Sequence, residues 1–253
     1  MKQILYLMVV LLHACTSTNN TFTIQTNGSL TLLDSAASAA TFLPYASDEI
    51  RHGFYPVFYL GNKTDTIRLG QKPIYEWSSG GKIYPYYNSC SIDSTKMKII
   101  VDTTFLLTYT KDYWHYSHEK EQKIIDSVVL FHAYPIFVYN VSDSLFDVGI
   151  YNHLGNTIRQ AKNEQGNWVD IETPINYFCG TSARRVVIEP KQVLIAKLLR
   201  YKGTFKTACR LKFIAKQTAF CQATSVYSTI FMDYIDKRQL IDIRANTQLV
   251  MAK

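Results

Sequence analysis

A chain of 253 residues has room for one large domain or two smaller ones, and 47% hydrophobic against 19% charged residues are ordinary values for a globular protein with real cores. The net charge of +7 comes from Lys and Arg scattered without a long run, which sets a nucleic-acid groove aside and suits a basic surface near anionic lipid or polysaccharide. Eighteen Tyr and thirteen Phe tilt the balance towards β structure, because aromatic side chains suit a half-buried pleated surface.

The N-terminus reads as an export signal. Met1-Lys2 supplies a positive start, and the apolar run over residues 4–12 is too short to span a bilayer but fits a signal-peptide core. Leu12-His13-Ala14-Cys15 resembles a bacterial lipobox, with His13 where a small residue is usual, so residues 1–14 are expected to be removed and Cys15 to be lipidated. Thr16-Ser17-Thr18-Asn19-Asn20 follows as a polar tether without an acidic run, which favours an outer-membrane anchor facing the periplasm of a bacterial cell envelope. Residues 15–47 then hold the lipidated Cys, the tether, a hairpin signalled by Asn27-Gly28, and an Ala/Ser-rich linker.

The next stretch occurs twice. Tyr55-Pro56-Val57-Phe58 returns as Tyr134-Pro135-Ile136-Phe137, and Asn62-Lys63-Thr64-Asp65 returns as Asn140-Val141-Ser142-Asp143. Each copy reads as strand, turn, strand, with Pro near a strand start and Asn or Asp closing the turn. Further on, Ile99-Ile100 matches Val187-Ile188 and Phe105-Leu106-Leu107 matches Val193-Leu194-Ile195, all 88 residues apart. Residues 97–109 are the longest strand candidate, residues 123–131 close the first unit, and Glu189-Pro190-Lys191-Gln192 reads as a turn. Short strands with turn signals at about ten-residue spacing predict an all-β fold of two tandem immunoglobulin-like antiparallel β-sandwich domains, residues 48–131 and 132–253, the second ending in a C-terminal tail.

The second copy carries Asn140-x-Ser-Asp, Gly166-Asn-Trp168, Cys179-Gly180, Glu189-Pro-Lys-Gln and Tyr201-Lys-Gly-Thr before Arg210-Leu-Lys-Phe. In these it resembles uncharacterised lipoproteins of Bacteroidetes-type bacteria. In plan it is also loosely similar to the bacterial intracellular proteinase inhibitor family, whose single immunoglobulin-like domain has comparable turns. The resemblance covers roughly residues 131–230 and rests on turns, so it implies a fold more than an activity.

Candidate chemistry is sparse. Cys209 and Cys221 would face each other as a cross-strand disulfide if residues 213–217 form a hairpin turn; Cys90 and Cys179 look like counterparts in separate repeats. His115 and His118, three apart on a strand, would point to opposite faces, so no metal site is expected. No catalytic signature or cofactor motif is present, and the chain is expected not to be an enzyme. The best binding candidates are aromatic residues expected in loops and hairpins: Trp77, Tyr84, Tyr86, Tyr113 and Trp114. Together these features lead to an expectation of a lipid-anchored, non-enzymatic binding or assembly module with a protein partner. The alternatives are a glycan-binding lipoprotein or a proteinase inhibitor. No nucleic acid is expected.

Overall fold

The structure is a computed structural model that describes residues 22–27, 30–35, 40–44, 52–70, 72–74, 92–175, 185–215 and 224–241. These residues form sixteen strands in four sheets and one turn of 3₁₀ helix, with no α-helix among them. All but one of the strand pairings are antiparallel, the exception being the parallel contact of β2 (Leu30–Ser35) with β4 (Thr66–Arg68). The all-β antiparallel class expected from the composition is therefore present.

The largest sheet is built around β13 (Gln192–Leu199). Its sequence, Gln-Val-Leu-Ile-Ala-Lys-Leu-Leu, is almost continuously apolar, as a strand covered on both faces must be. β3 (Val57–Asn62) lies on one side and β7 (Gln122–Asn140) on the other. The duplicated block therefore flanks a shared strand: Val57 and Ile136 both sit opposite Ala196, and Leu60 and Val138 both sit opposite Leu194.

This arrangement corrects the tandem expectation. The boundary expected between residues 131 and 132 falls inside β7, and β3 is bonded to β13 across it. The described strands share one contiguous buried core, from Leu32 through Val57, Ile136, Ile195 and Leu211 to Ile235. The physical reason is that an apolar central strand needs hydrogen-bonding neighbours on both edges, and the first copy supplies one of them. The two similar blocks thus lie in one sheet, on either side of β13.

The far edge of β7 explains a second difference. β5 (Met97–Val101) and β6 (Leu107–Ser117) pair with it one after the other, so the long strand expected over residues 97–109 is broken at 102–106. The break lies opposite Pro135. Lys197 donates its N–H to Pro56 O and so turns its hydrogen-bonding groups away from β7, which leaves the missing N–H of Pro135 facing the gap between β5 and β6.

The second large sheet is ordered β11 (Trp168–Asp170), β10 (Thr157–Lys162), β14 (Phe205–Ile214), with β15 (Ser225–Tyr227) and β16 (Phe231–Ile235) sharing the far edge of β14. β14 keeps a period of two: Thr207, Cys209, Leu211 and Phe213 point inward, while Lys206, Ala208, Arg210, Lys212 and Ile214 point outward. Thr229, between β15 and β16, donates its N–H to Ile99 O and joins this sheet to the first. β8 (Phe146–Ile150) pairs with β9 (His153–Leu154) and β12 (Arg185–Ile188) in a third, small sheet. In the fourth, β1 (Phe22–Asn27) pairs with β2, Asn27 lying opposite Leu30, as the expected hairpin requires.

Candidate functional site

The feature most unlike the rest of the molecule is the outer part of the β6–β7 hairpin. From Lys111 to Val128 its two strands pair with each other, and no other described strand pairs with either outer edge. The ribbon exists because both strands are rich in β-branched and aromatic residues, which favour extended backbone. A two-stranded ribbon open to water on both faces is marginal on its own and is held here by its continuity with the core sheet.

The exposed side chains of this arm are sorted by face. On a strand pair, directly opposed residues share a face, as do alternate residues. Trp114 is opposite Ile125, Tyr116 opposite Lys123 and Asp112 opposite Val128. A bulge between Tyr113 and Trp114 accommodates Asp126 as an extra residue, so Ile125 and Val128, three apart, come to the same side. Trp114 is 52% exposed, Tyr116 49%, Ile125 53% and Val128 54%, so about half of each apolar surface is open on one stripe. The Lys123 ammonium lies 4.5 Å from the Trp114 ring centroid. The opposite face carries Tyr113, with Lys111 4.9 Å from its ring, and His115, whose Nδ1 is 2.7 Å from Asp126 Oδ1. The apolar centre of the arm is bordered by the mixed charges of Lys111, Asp112, Glu119, Lys120, Glu121, Lys123 and Asp126.

Of the aromatic candidates, Tyr113 and Trp114 thus lie on the arm, on opposite faces. Trp77, Tyr84 and Tyr86 lie outside the described residues, as do Cys15 and Cys221. Cys209 is a buried free cysteine whose neighbours across the ladder are Ala161 and Phe231. β14 continues to Ile214 and Ala215 donates its N–H to Thr224 O; the expected pairing of Cys209 with Cys221 falls on a residue outside those described. Burial pushes the Cys209 thiol up to about 12, which keeps it protonated and inert.

Two buried charge systems had no signal in the sequence. Arg159 on β10 is 1% exposed; its Nη2 donates to Leu199 O at 2.7 Å, and its Nη1 lies 3.3 Å from Asp233 Oδ2. Its own backbone N–H donates to Glu172 Oε2 at 2.8 Å, and the hydroxyls of Tyr55 and Tyr201 both donate to Glu172. Burial, reinforced by the Glu172 charge, holds both phenols well above their ordinary range, and burial likewise raises Asp233. In the second system Lys197 Nζ donates to Asp34 Oδ1 at 2.8 Å and lies 4.2 Å from the Phe58 centroid, with Asp34 Oδ2 accepting from Thr108 N–H at 3.0 Å. Burial lowers the Lys197 pKa, and the Asp34 charge opposes that shift. Both systems tie one sheet to another, Arg159 joining β10 to β13 and β16, and Asp34 joining β2 to β6 and β13. Their residues come from distant positions, which is why spacing could not reveal them.

A third arrangement lies on the outer face of the second large sheet. The Arg210 guanidinium is 4.2 Å from the Trp168 ring centroid and 4.0 Å from that of Tyr227, and its Nε donates to Gln160 Oε1 at 2.7 Å. Gln160 in turn donates to Asp170, whose other oxygen is 3.9 Å from Lys212 Nζ. Beside this ladder is a cavity of about 420 Å³, walled by Gln160, Trp168, Asp170, Thr173, Pro174 and Lys212 among others. Compared with known protein families, curated proteins and solved structures, the chain matches none.

Proposed function

We propose that this chain is a lipid-anchored module of the bacterial cell envelope that binds or assembles with a protein partner and catalyses no reaction. The observation that carries this reading is the β6–β7 arm, with Trp114, Tyr116, Ile125 and Val128 half-exposed on one face of a ribbon whose outer edges pair with no other described strand. Aromatic and branched apolar groups at the centre of a charged margin are the residues from which protein interfaces draw most of their energy. Strand edges of this kind add main-chain hydrogen bonding as a second mode of recognition. The anchor rests on the lipobox-like Leu12-His13-Ala14-Cys15, and the envelope location follows from it.

The test is capture from envelope extract by the chain starting at residue 16, compared with a Trp114→Ser/Ile125→Ser/Val128→Ser variant of the same length. The expected result is a defined partner retained by the first and lost, by at least about tenfold, from the second, with thermal unfolding unchanged between them. Equal retention by both proteins overturns the assignment of the arm.

A further inference from the structure

We infer that the cavity beside β10 and β11 is a binding site for a sugar ring, with Trp168 as the apolar platform and Asp170 as the acceptor for ring hydroxyls. It lies on a different sheet from the arm and does not depend on the arm's role, so either assignment can fail alone.

A sugar ring presents an apolar face of C–H groups and an equatorial rim of hydroxyls. A site for it needs a flat apolar wall and fixed polar groups at the rim, and both must be rigid for weak contacts to add up. The cavity supplies the wall in Trp168, with Ile158, Ile214 and Pro174 completing the apolar lining. The rim groups are the Asp170 carboxylate, the Gln160 amide, the Thr173 hydroxyl and the Lys212 ammonium. At about 420 Å³ the space lies in the lower part of the range of small-molecule clefts, about 300–1,000 Å³.

Rigidity comes from Arg210. Its guanidinium is stacked between Trp168 and Tyr227 while its Nε holds Gln160, so one side chain fixes the platform and an amide of the rim together. Gln160 and Lys212 then hold Asp170 from two directions. Arg210 has no carboxylate partner among the described residues, and its contacts there are these two rings and this amide. That is the pattern of a positioning residue: it acts on a ligand through Trp168 and Gln160. Lys212 lies beside Asp170, and Glu172, which also lines the cavity, is held by the buried Arg159 and the hydroxyls of Tyr55 and Tyr201. The wall charges are therefore paired, which favours a neutral sugar over an acidic one.

The experiment uses the chain from residue 16 labelled with ¹⁵N, titrated with cellotriose, maltotriose and the N-acetylglucosamine trimer, and with sorbitol as an open-chain polyol. The expected result is saturable movement of the Trp168 indole N–H signal with at least one trisaccharide and none with sorbitol. Trp168→Ala abolishes the response at the remaining cavity signals, and Asp170→Asn weakens it about tenfold, the scale of a lost charged hydrogen bond. Arg210→Lys weakens it to a similar degree while broadening the Trp168 signal in the free protein, a readout of lost positioning. Far-UV circular dichroism and the thermal midpoint establish that each variant is folded; should Trp168→Ala unfold, Asp170→Asn decides alone. No response to any trisaccharide, an equal response to sorbitol, or full binding by a folded Asp170→Asn protein overturns the site.

Discussion

The two halves of β7 are made of similar residues and live in different surroundings. Ile136, Phe137 and Val138 in the inner half are buried, with β13 on one edge and β5 on the other. Ile124, Ile125, Val128 and Val129 in the outer half are as apolar, yet they have one neighbouring strand and Ile125 and Val128 are more than half exposed. Extended structure was within the reach of local preference in both halves; burial was decided by which strands came alongside. Among the described residues nothing covers this apolar stripe, and exposed apolar stripes are the kind of surface on which the proposed partner contact rests.

The sharpest way to break this comparison is to truncate one apolar side chain in each half. Phe137→Ala is expected to cost about 3–5 kcal/mol, because a buried ring leaves a cavity behind, whereas Val128→Ala is expected to change stability by less than about 0.5 kcal/mol. Urea unfolding of both variants measures the difference, and equal losses would mean that the outer half is packed after all.

Acid sensitivity sharpens the same contrast from the core side. His153, on β9 and 1% exposed, has its pKa lowered to about 4 by burial, so the fold holds it neutral. The sign follows from proton linkage: between pH of about 6.5 and 4 the unfolded chain binds a proton that the fold refuses, so stability falls as pH falls through that window. The full loss is roughly 3 kcal/mol. Unfolding measured at pH 7 and pH 4.5 should show that slope in the parent protein and a shallower one in His153→Gln.

The smallest effect concerns a turn. In Glu189-Pro190-Lys191-Gln192, Pro190 presets the second position and Lys191 follows at φ 64°, a left-handed conformation that glycine adopts more easily. Gln192 donates its N–H to Glu189 O at 3.2 Å, closing the turn. Lys191→Gly is expected to stabilise by up to about 0.5 kcal/mol, since relief of strain is partly offset by the greater chain entropy of glycine. A thermal midpoint that falls instead would place the strain elsewhere.

What the sequence made legible was local. Asn140 closes its turn as expected, with its Nδ2 donating to Ser144 O at 2.6 Å and its Oδ1 accepting from Ser142 N–H at 3.0 Å. The alternation of β16 was not legible: a tail beginning at Asp233 reads as a helix or a strand with its charges outward. Asp233 instead lies inside with Phe231 and Ile235, facing Arg159, and Met232 and Tyr234 lie outside. The pairing of β3 with β13 was not legible, because two copies of a strand pattern look alike whether they sit in one sheet or two. Trp114 could be singled out as an aromatic, but Ile125 and Val128 read as core until their lack of neighbours was seen. Arg159, Glu172 and Asp233 meet only because three elements converge. The same holds for the cavity walls, which combine β10, β11 and β14 with the segment after β11.

The continuity of β7 has a mechanical consequence. A force applied to the arm along β7 loads this strand along its own axis. The seven residue pairs that join it to β13, from Tyr139 opposite Val193 to Ala133 opposite Leu199, then resist sliding together and cannot be peeled apart one at a time. Shearing such a ladder takes more force than unzipping it pair by pair, so the arm is a firmer handle on the core sheet than a loop would be.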